Sequence, residues 1–337
     1  RSGKPYDELI VQANQLSPER VFPFRTELLP ILKWAALAGN NWKPLYYLAL
    51  LLKEKNQPAE ALELLTQLGE KPDFAPFYAV RALWNAEFPV KMVRDFQKAA
   101  SLDPNEWRYV KLQVQYYIKQ KYYPTALQLV EAYRTEHPGN VIMDMLYAKT
   151  LLLDRQFANC DALLSKLTII PFEGATEGRS LYWEAKLMQA VDQFDQQKYP
   201  RALQFIQQAL QWPENLGVGK PYESDLDSRL ENWMQYLIYQ KTGKLKEAGE
   251  ALDRILNFKP GVYNTVQNFQ PANHLVTALA MAQQGKKSEA TEWLNQQIKK
   301  YPEMNTLKWA RDVFMDPQRA GERNDEPAIR ILQRLLK

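Results

Sequence analysis

The sequence predicts an all-α fold built as a stack of helical hairpins, and three observations carry that expectation. Apolar residues recur at three- and four-residue spacing along almost all of the 337 residues, while the period-2 alternation of a half-buried strand is hard to find. A small residue followed by apolar residues four and seven positions later returns along the chain. A proline then stands 11 or 12 positions after each such small residue.

The anchors are Ala61/Leu65/Leu68, Met92/Phe96/Ala99, Ala126/Val130/Tyr133, Cys160/Leu164/Leu167, Ala202/Ile206/Ala209, Ala248/Leu252/Ile255 and a weaker Ala290/Leu294/Gln297. Spacings of four and seven put each trio on one helical face. Pro72, Pro104, Pro138, Pro171, Pro213, Pro260 and Pro302 close the units, because proline disfavours helix in the residue before it. Twelve positions before the small residues, in a preceding helix, stand Ala49, Val80, Val114, Ala148, Ala190, Tyr236 and Ala278. Small side chains at both places let two antiparallel helices approach closely. Steps between anchors are 31, 34, 34, 42, 46 and 42 residues, so the later units carry longer helices or inserted loops.

The ends are less regular. SPERVFPFRTELLPILKWAALAGN (17–40) reads as the remnant of an incoming helix pair, with Pro30 marking a kink or a start. A polar stretch at 316–326 precedes PAIRILQRLLK, whose Ile329, Leu332 and Leu336 share a face as a cap over the last repeat requires. The expected organisation is an N-terminal helical cap (1–40), a repeat array (41–303) of about seven units, and a C-terminal linker and capping helix (304–337).

Composition narrows the function classes. Hydrophobic residues at 46% and 40 aromatics support a folded chain, and 43 Lys and Arg against 39 Asp and Glu, mixed along the sequence, argue against nucleic acid as a partner. The single cysteine, Cys160, excludes an internal disulfide framework and a multi-thiolate metal site. No apolar run approaches the roughly 18 residues needed to span a bilayer. Because the first residue is Arg1 rather than Met, the chain is expected to be a piece of a longer product. The compartment, cytoplasm or periplasm, stays open.

WRYVKLQVQYYIKQKYYPTALQLVEAYRTEHPG (107–139) and ENWMQYLIYQKTGKLKEAGEALDRILNFKP (231–260), the latter with Gly243, Ala248 and Pro260 in place, resemble the tetratricopeptide repeat. That resemblance implies a tetratricopeptide-like helical-hairpin solenoid, a right-handed superhelix whose first helices line a concave groove that receives peptides. By repeat register the groove residues are Lys43, Tyr46, Arg108, Lys111, Gln115 and Lys149. Their basic and aromatic character suits an acidic peptide. They do not reproduce the Lys-Asn-Asn-Lys-Arg clamp of chaperone-binding members. VFPFR, NNWKPLYYLALLL, PDFAPFYAVRAL and PENLGVGKPY also look like the C-terminal tetratricopeptide region of large Bacteroidetes proteins that carry an upstream β-rich domain of unknown function. The implication is a helical partner of a sugar-related module.

One stretch mimics a catalytic motif. WPENLGVGKPYESD (212–225) holds Gly217, Gly219 and Lys220 within four positions, yet a phosphate loop needs four residues between its glycines and a Ser or Thr after the Lys. Here the glycines are two apart, Pro221 follows Lys220, and no strand precedes the loop. It reads as an inter-repeat connector, with Ser224 or Asp225 capping the next helix and Gly217, Gly219, Lys220 and Tyr222 as a docking loop. Segments 169–180 and 260–273 are further long connectors.

Cys160 takes a small-residue position, where a buried inert thiol is expected. His137 and His274 are isolated and make no metal site. Glu173, Glu177 and Glu184 lie near Trp183, but solvated helix faces account for them. The expected function is a non-enzymatic protein–protein interaction scaffold with no cofactor. Its expected partner is a protein or peptide, or an upstream domain of the same polypeptide. Carbohydrate binding, or an accessory role beside a sugar-processing domain, is the alternative, and an all-α hydrolase stands third.

Overall fold

The structure, a computed structural model, describes residues 6–38, 41–85, 87–259, 272–322 and 326–336, and among them there are helices and no strand. The chain divides into two compact units, Arg1–Met143 and Asp144–Lys337. The first contains α1 (Tyr6–Gln15), α2 (Leu28–Ala38), α3 (Lys43–Glu54), α4 (Pro58–Leu68), α5 (Ala75–Trp84), α6 (Pro89–Leu102), α7 (Trp107–Lys119) and α8 (Tyr123–Glu136). α9 (Val141–Leu153) begins there and continues into the second unit. That unit adds α10 (Phe157–Leu164), α11 (Glu177–Asp195), α12 (Tyr199–Ala209), α13 (Arg229–Lys241), α14 (Leu245–Leu256), α15 (Ala272–Gln283), α16 (Lys287–Lys300), α17 (Asn305–Met315) and α18 (Pro327–Leu335).

Seven hairpins run from α3/α4 to α15/α16, and the anchors form their seams. The small residue of every trio is buried, as are Ala49, Val114, Ala148, Ala190, Tyr236 and Ala278 across the hairpin, while Val80 is half-buried. Close packing of small residues brings the two helices together, and the larger apolar residues one turn on fill the layer between hairpins. The fold class is therefore an all-α helical-hairpin solenoid of tetratricopeptide type.

A common turn joins the helices of six hairpins. The residue five positions before the small anchor has a left-handed backbone, at Asn56, Lys121, Arg155, Gln197, Gly243 and Gly285, with φ between 59° and 80°. The next N–H reaches back to the carbonyl five residues earlier, as in Gln57 to Leu52 (2.9 Å), Lys244 to Tyr239 (2.9 Å) and Lys286 to Met281 (3.1 Å). This closes the orphan carbonyls of the first helix. Only two of the six turns use the residue best suited to that backbone. The shortened α5/α6 hairpin closes otherwise, with Phe88 N–H donating to the Asn85 carbonyl at 3.0 Å.

Prolines start helices as well as ending units: α3, α4, α5, α6, α8, α12 and α18 each carry one in the first two positions. There the missing N–H costs nothing and the fixed φ suits the helix. Pro30 likewise sits in the first turn of α2, so it marks a start.

Two parts of the expected register shift. Leu167 lies beyond the end of α10, because the helix stops at Leu164 and the chain leaves for the 165–176 connector. Gln297, the polar residue where the pattern calls for an apolar one, hydrogen-bonds His274 of α15, so a buried imidazole accounts for the break. Most of the connector 260–273, Pro260 included, lies outside the described residues.

Candidate functional site

In the second unit the hairpins present α11, α13 and α15 as first helices, and α18 lies against α11 and α15. The cap expected over the final repeat thus folds back across first helices, while α17 packs on α15 and α16 and continues the stack. Ala328, Ile329, Ile331 and Leu332 are buried beneath α18. At its margin Arg330 donates Nε and Nη2 to the two oxygens of Glu184, both at 2.6 Å. Arg334 reaches Asp192 (2.6 Å) and Asp195. The contacts ascend together in both helices, so α18 runs in the same sense as α11. Gln333 Nε2 donates to the Ala320 carbonyl at 2.6 Å and fastens the helix to the 3₁₀ turn Pro317–Glu322.

This places Glu184 differently from the solvated face expected of it. Its side chain is 2% exposed, and the planar fork of Arg330 compensates a carboxylate that burial alone would make costly. Glu177 is surface-exposed and pairs with Lys149 at 3.2 Å, and Glu173 is exposed too. Glu184 and Glu177 thus face different partners. Beside Glu184, the Trp183 indole N–H donates to Glu231 Oε1 of α13 at 2.6 Å. Burial pushes the Glu231 carboxyl up to about 7.

Of the groove residues read from the sequence, Arg108, Lys111 and Gln115 share one face of α7. Arg108 lies over the Trp107 ring at 4.7 Å and Lys111 at 5.4 Å, so a half-buried indole carries two cations. Arg108 also pairs with Glu106, whose carboxylate caps the helix by accepting the Arg108 backbone N–H at 3.0 Å. Lys43 is turned to internal work: its ammonium donates to the carbonyls of Asn14 and Leu16, both at 2.6 Å, at the end of α1. Tyr46 is a core residue, 4% exposed and packed edge-on to Phe77 and Phe74. A buried ring offers no face to a ligand. Lys149 belongs to the second unit, on α9.

The connector 212–225 docks inside its own unit. The Ile169 N–H donates to the Asn215 carbonyl at 2.8 Å, and the Asn215 amide returns bonds to the Leu164 and Leu167 carbonyls at 3.0 and 2.7 Å. Gly217 has φ +65°, and a Cβ there would stand 2.6 Å from the Ile169 carbonyl oxygen. Its glycine serves chain crossing. The Trp212 indole donates to the Val218 carbonyl at 2.9 Å and carries the Arg179 guanidinium 4.3 Å above it. Gly219 meets open space, Tyr222 is exposed, and Lys220 makes a loose 3.9 Å pair with Glu223. The start of α13 is held by Asp227, whose carboxylate accepts the Arg229 N–H at 3.2 Å, in place of Asp225, and the Ser224 side chain lies outside the described residues.

Cys160 is fully buried, and burial pushes its thiol up to about 12. His137 ends α8 stacked on Tyr133 at 4.4 Å, and His274 stacks on Trp293 at 5.0 Å. Among the described residues no group of His, Cys, Asp and Glu gathers as a metal site, and no helix is long and apolar enough to cross a membrane.

The fold defines a class: an all-α array of tetratricopeptide-type helical hairpins. Comparison with known proteins yields no matching family model and no matching curated protein. Solved structures do match. The C-terminal part of a TPR repeat-containing protein from Cytophaga hutchinsonii is 12% identical, with 79% of this chain and 98% of that one covered and a TM-score of 0.49. A tetratricopeptide repeat protein from Parabacteroides merdae is 11% identical over 82% of this chain and 100% of that one, TM-score 0.47. Yeast Tom70 is 17% identical over 99% of this chain and 68% of that one, TM-score 0.38.

Proposed function

We propose that this chain is a non-enzymatic interaction scaffold whose first-helix faces receive protein segments. The observation that carries the reading is α18. In the second unit the faces of α11 and α15 hold an amphipathic helix by buried aliphatic side chains and charged margins, the helix-in-groove mode of recognition. A surface that binds such a helix within its own chain has the chemistry to bind one.

The α7 face of the first unit is proposed as a second such surface, for an acidic segment. Trp107 flanked by Arg108 and Lys111, with exposed Gln115 one turn on, offers charge-assisted bonds beside an aromatic platform. Lys220 and Tyr222 on the connector are proposed to dock a neighbouring domain, their side chains being exposed on a backbone fixed by Gly217 and Asn215.

A photo-crosslinking residue at Gln115 tests the reading. Adducts with protein partners are expected in cells and are expected to vanish when Arg108 and Lys111 are both replaced by Glu. Partner capture that survives those changes, with no adduct at Gln115, would remove α7 from the proposal.

A further inference from the structure

Resting on that reading, we propose that the acidic face of α11 is the docking site for a basic amphipathic helix of another protein, and that α18 occupies it as a displaceable stand-in. The partner's chemistry follows from the contacts. Glu184 and the Asp192/Asp195 pair demand two arginines one helical turn apart, as Arg330 and Arg334 are, with aliphatic residues on the adjoining face where Ile329, Ile331 and Leu332 now lie.

Three observations make α18 separable from the fold it covers. The hairpins α11/α12, α13/α14 and α15/α16 pack through their own seams, and α17 carries the stack onward, so no hairpin depends on α18 for its partner helix. α18 spans nine residues, short of the roughly 12 to 15 at which a helix begins to hold by itself in water, so its order derives from the groove. Its hold also draws on a tether: attachment to the same chain supplies a local concentration that a free helix lacks, which lets a modest contact stay closed.

The groove also offers more than α18 uses. α11 runs for 19 residues against nine in α18. Asp192, one of the carboxylates that Arg334 engages, borders a cleft of about 300 Å³ whose walls include Gln189 and Gln193 of α11, Gln196 just past its end, and Phe205 of α12. A partner helix with a polar continuation past its second arginine would enter that cleft. Such a partner gains contacts that α18 does not make, and that difference in contacts drives the exchange.

The test uses the full chain and a fluorescent peptide with the sequence of residues 326–337, followed by fluorescence anisotropy. Intact protein is expected to bind the peptide weakly. The Arg330→Ala/Arg334→Ala chain, in which the resident helix is loosened, is expected to bind at least tenfold more tightly, and a peptide with both arginines replaced by Glu is expected to bind neither chain. Equal affinity for the two chains, or indifference to the charge reversal, would overturn the proposal. Should the double variant fail to fold, hydrogen exchange on intact protein carries the test. Saturating peptide must speed exchange in α18 and leave α15 unchanged, and an unaltered α18 overturns the idea. Dimers that form without peptide through exchanged α18 segments would assign the groove to a second copy and overturn the partner helix. Crosslinks at Gln115 report on the scaffold reading separately, because α7 lies in the other unit.

Discussion

The Trp183 indole donates its hydrogen to Glu231 Oε1 at 2.6 Å, while Oε2 of the same buried carboxyl has no hydrogen-bond partner among the described residues. Burial raises this group from an ordinary 4.5 to about 7, with Asp227 adding to the rise and the Trp183 bond and Arg179 opposing it. The folded state therefore holds a proton that the unfolded chain has released, and stability falls as pH climbs from 4.5 to 7, by about 3 kcal/mol in all. His274 acts in the opposite direction. Burial, with Arg229 second, lowers it from 6.5 to about 3, so its contribution is complete above pH 6.5 and is lost as pH falls toward 3. The two slopes offset each other between pH 4.5 and 6.5. Glu231→Gln keeps an acceptor for Trp183 and removes one slope. Its stability gain over the parent should grow by about 2–3 kcal/mol between pH 5 and pH 8, read from denaturant midpoints. A gain equal at both pH values would refute the assignment.

The common turn makes a paired prediction. Lys121 holds φ +62° and Gly243 holds φ +71° at equivalent places, and only glycine adopts that backbone without steric cost. Lys121→Gly is expected to raise stability by about 1 kcal/mol and Gly243→Ala to lower it by about the same. Thermal midpoints of the two variants should move in opposite directions. Equal signs would mean that the turn is not what fixes these residues.

Gly217 and Gly219 separate the two roles that the 212–225 stretch suggests. A methyl at Gly217 would strike the Ile169 carbonyl and force a strained backbone, whereas Gly219 has nothing within 4 Å. Gly217→Ala should cost about 1–3 kcal/mol and loosen both connectors, and Gly219→Ala should change stability by less than about 0.5 kcal/mol. Calorimetry on the two proteins distinguishes them, and similar losses would sink the crossing role given to Gly217.

The sequence pattern made the hairpins legible because it records burial directly. Small residues such as Ala61, Ala202 and Ala290 are small for a packing reason that repeats, and periodicity detects repetition. The turns were half legible: Gly243 advertises its backbone, but Lys121, Arg155 and Gln197 adopt the same one with residues that carry no such mark. The α18 site was least legible. Ile329 and Leu332 reveal an apolar face, yet nothing local says which surface covers it, and Glu184 pairs with a residue 146 positions away. Arginines one turn apart beside that apolar face were the available signal. For Tyr46 the difficulty was angular, since a shift of one residue in helix register moves a side chain by roughly 100° and carries it from groove to core.

Arg81 and Asp95 join α5 to α6 in the hairpin that lacks the common turn. Nε donates to Oδ2 at 2.8 Å and Nη2 to Oδ1 at 2.6 Å, with side chains 12% and 7% exposed. Asp95 occupies a core-facing place between Met92 and Phe96, where a lone carboxylate would be poorly solvated. Arg81→Met should therefore cost about 3–5 kcal/mol, because it leaves that charge buried without a partner. Adding Asp95→Leu should recover most of the loss, since two apolar side chains of similar volume remove the charge as well as the bond. Arg81→Lys should recover little, for an ammonium cannot hold both carboxylate oxygens in the same fork. A double variant no more stable than Arg81→Met would show that the pair's geometry, rather than an unpaired charge, sets the cost of breaking it.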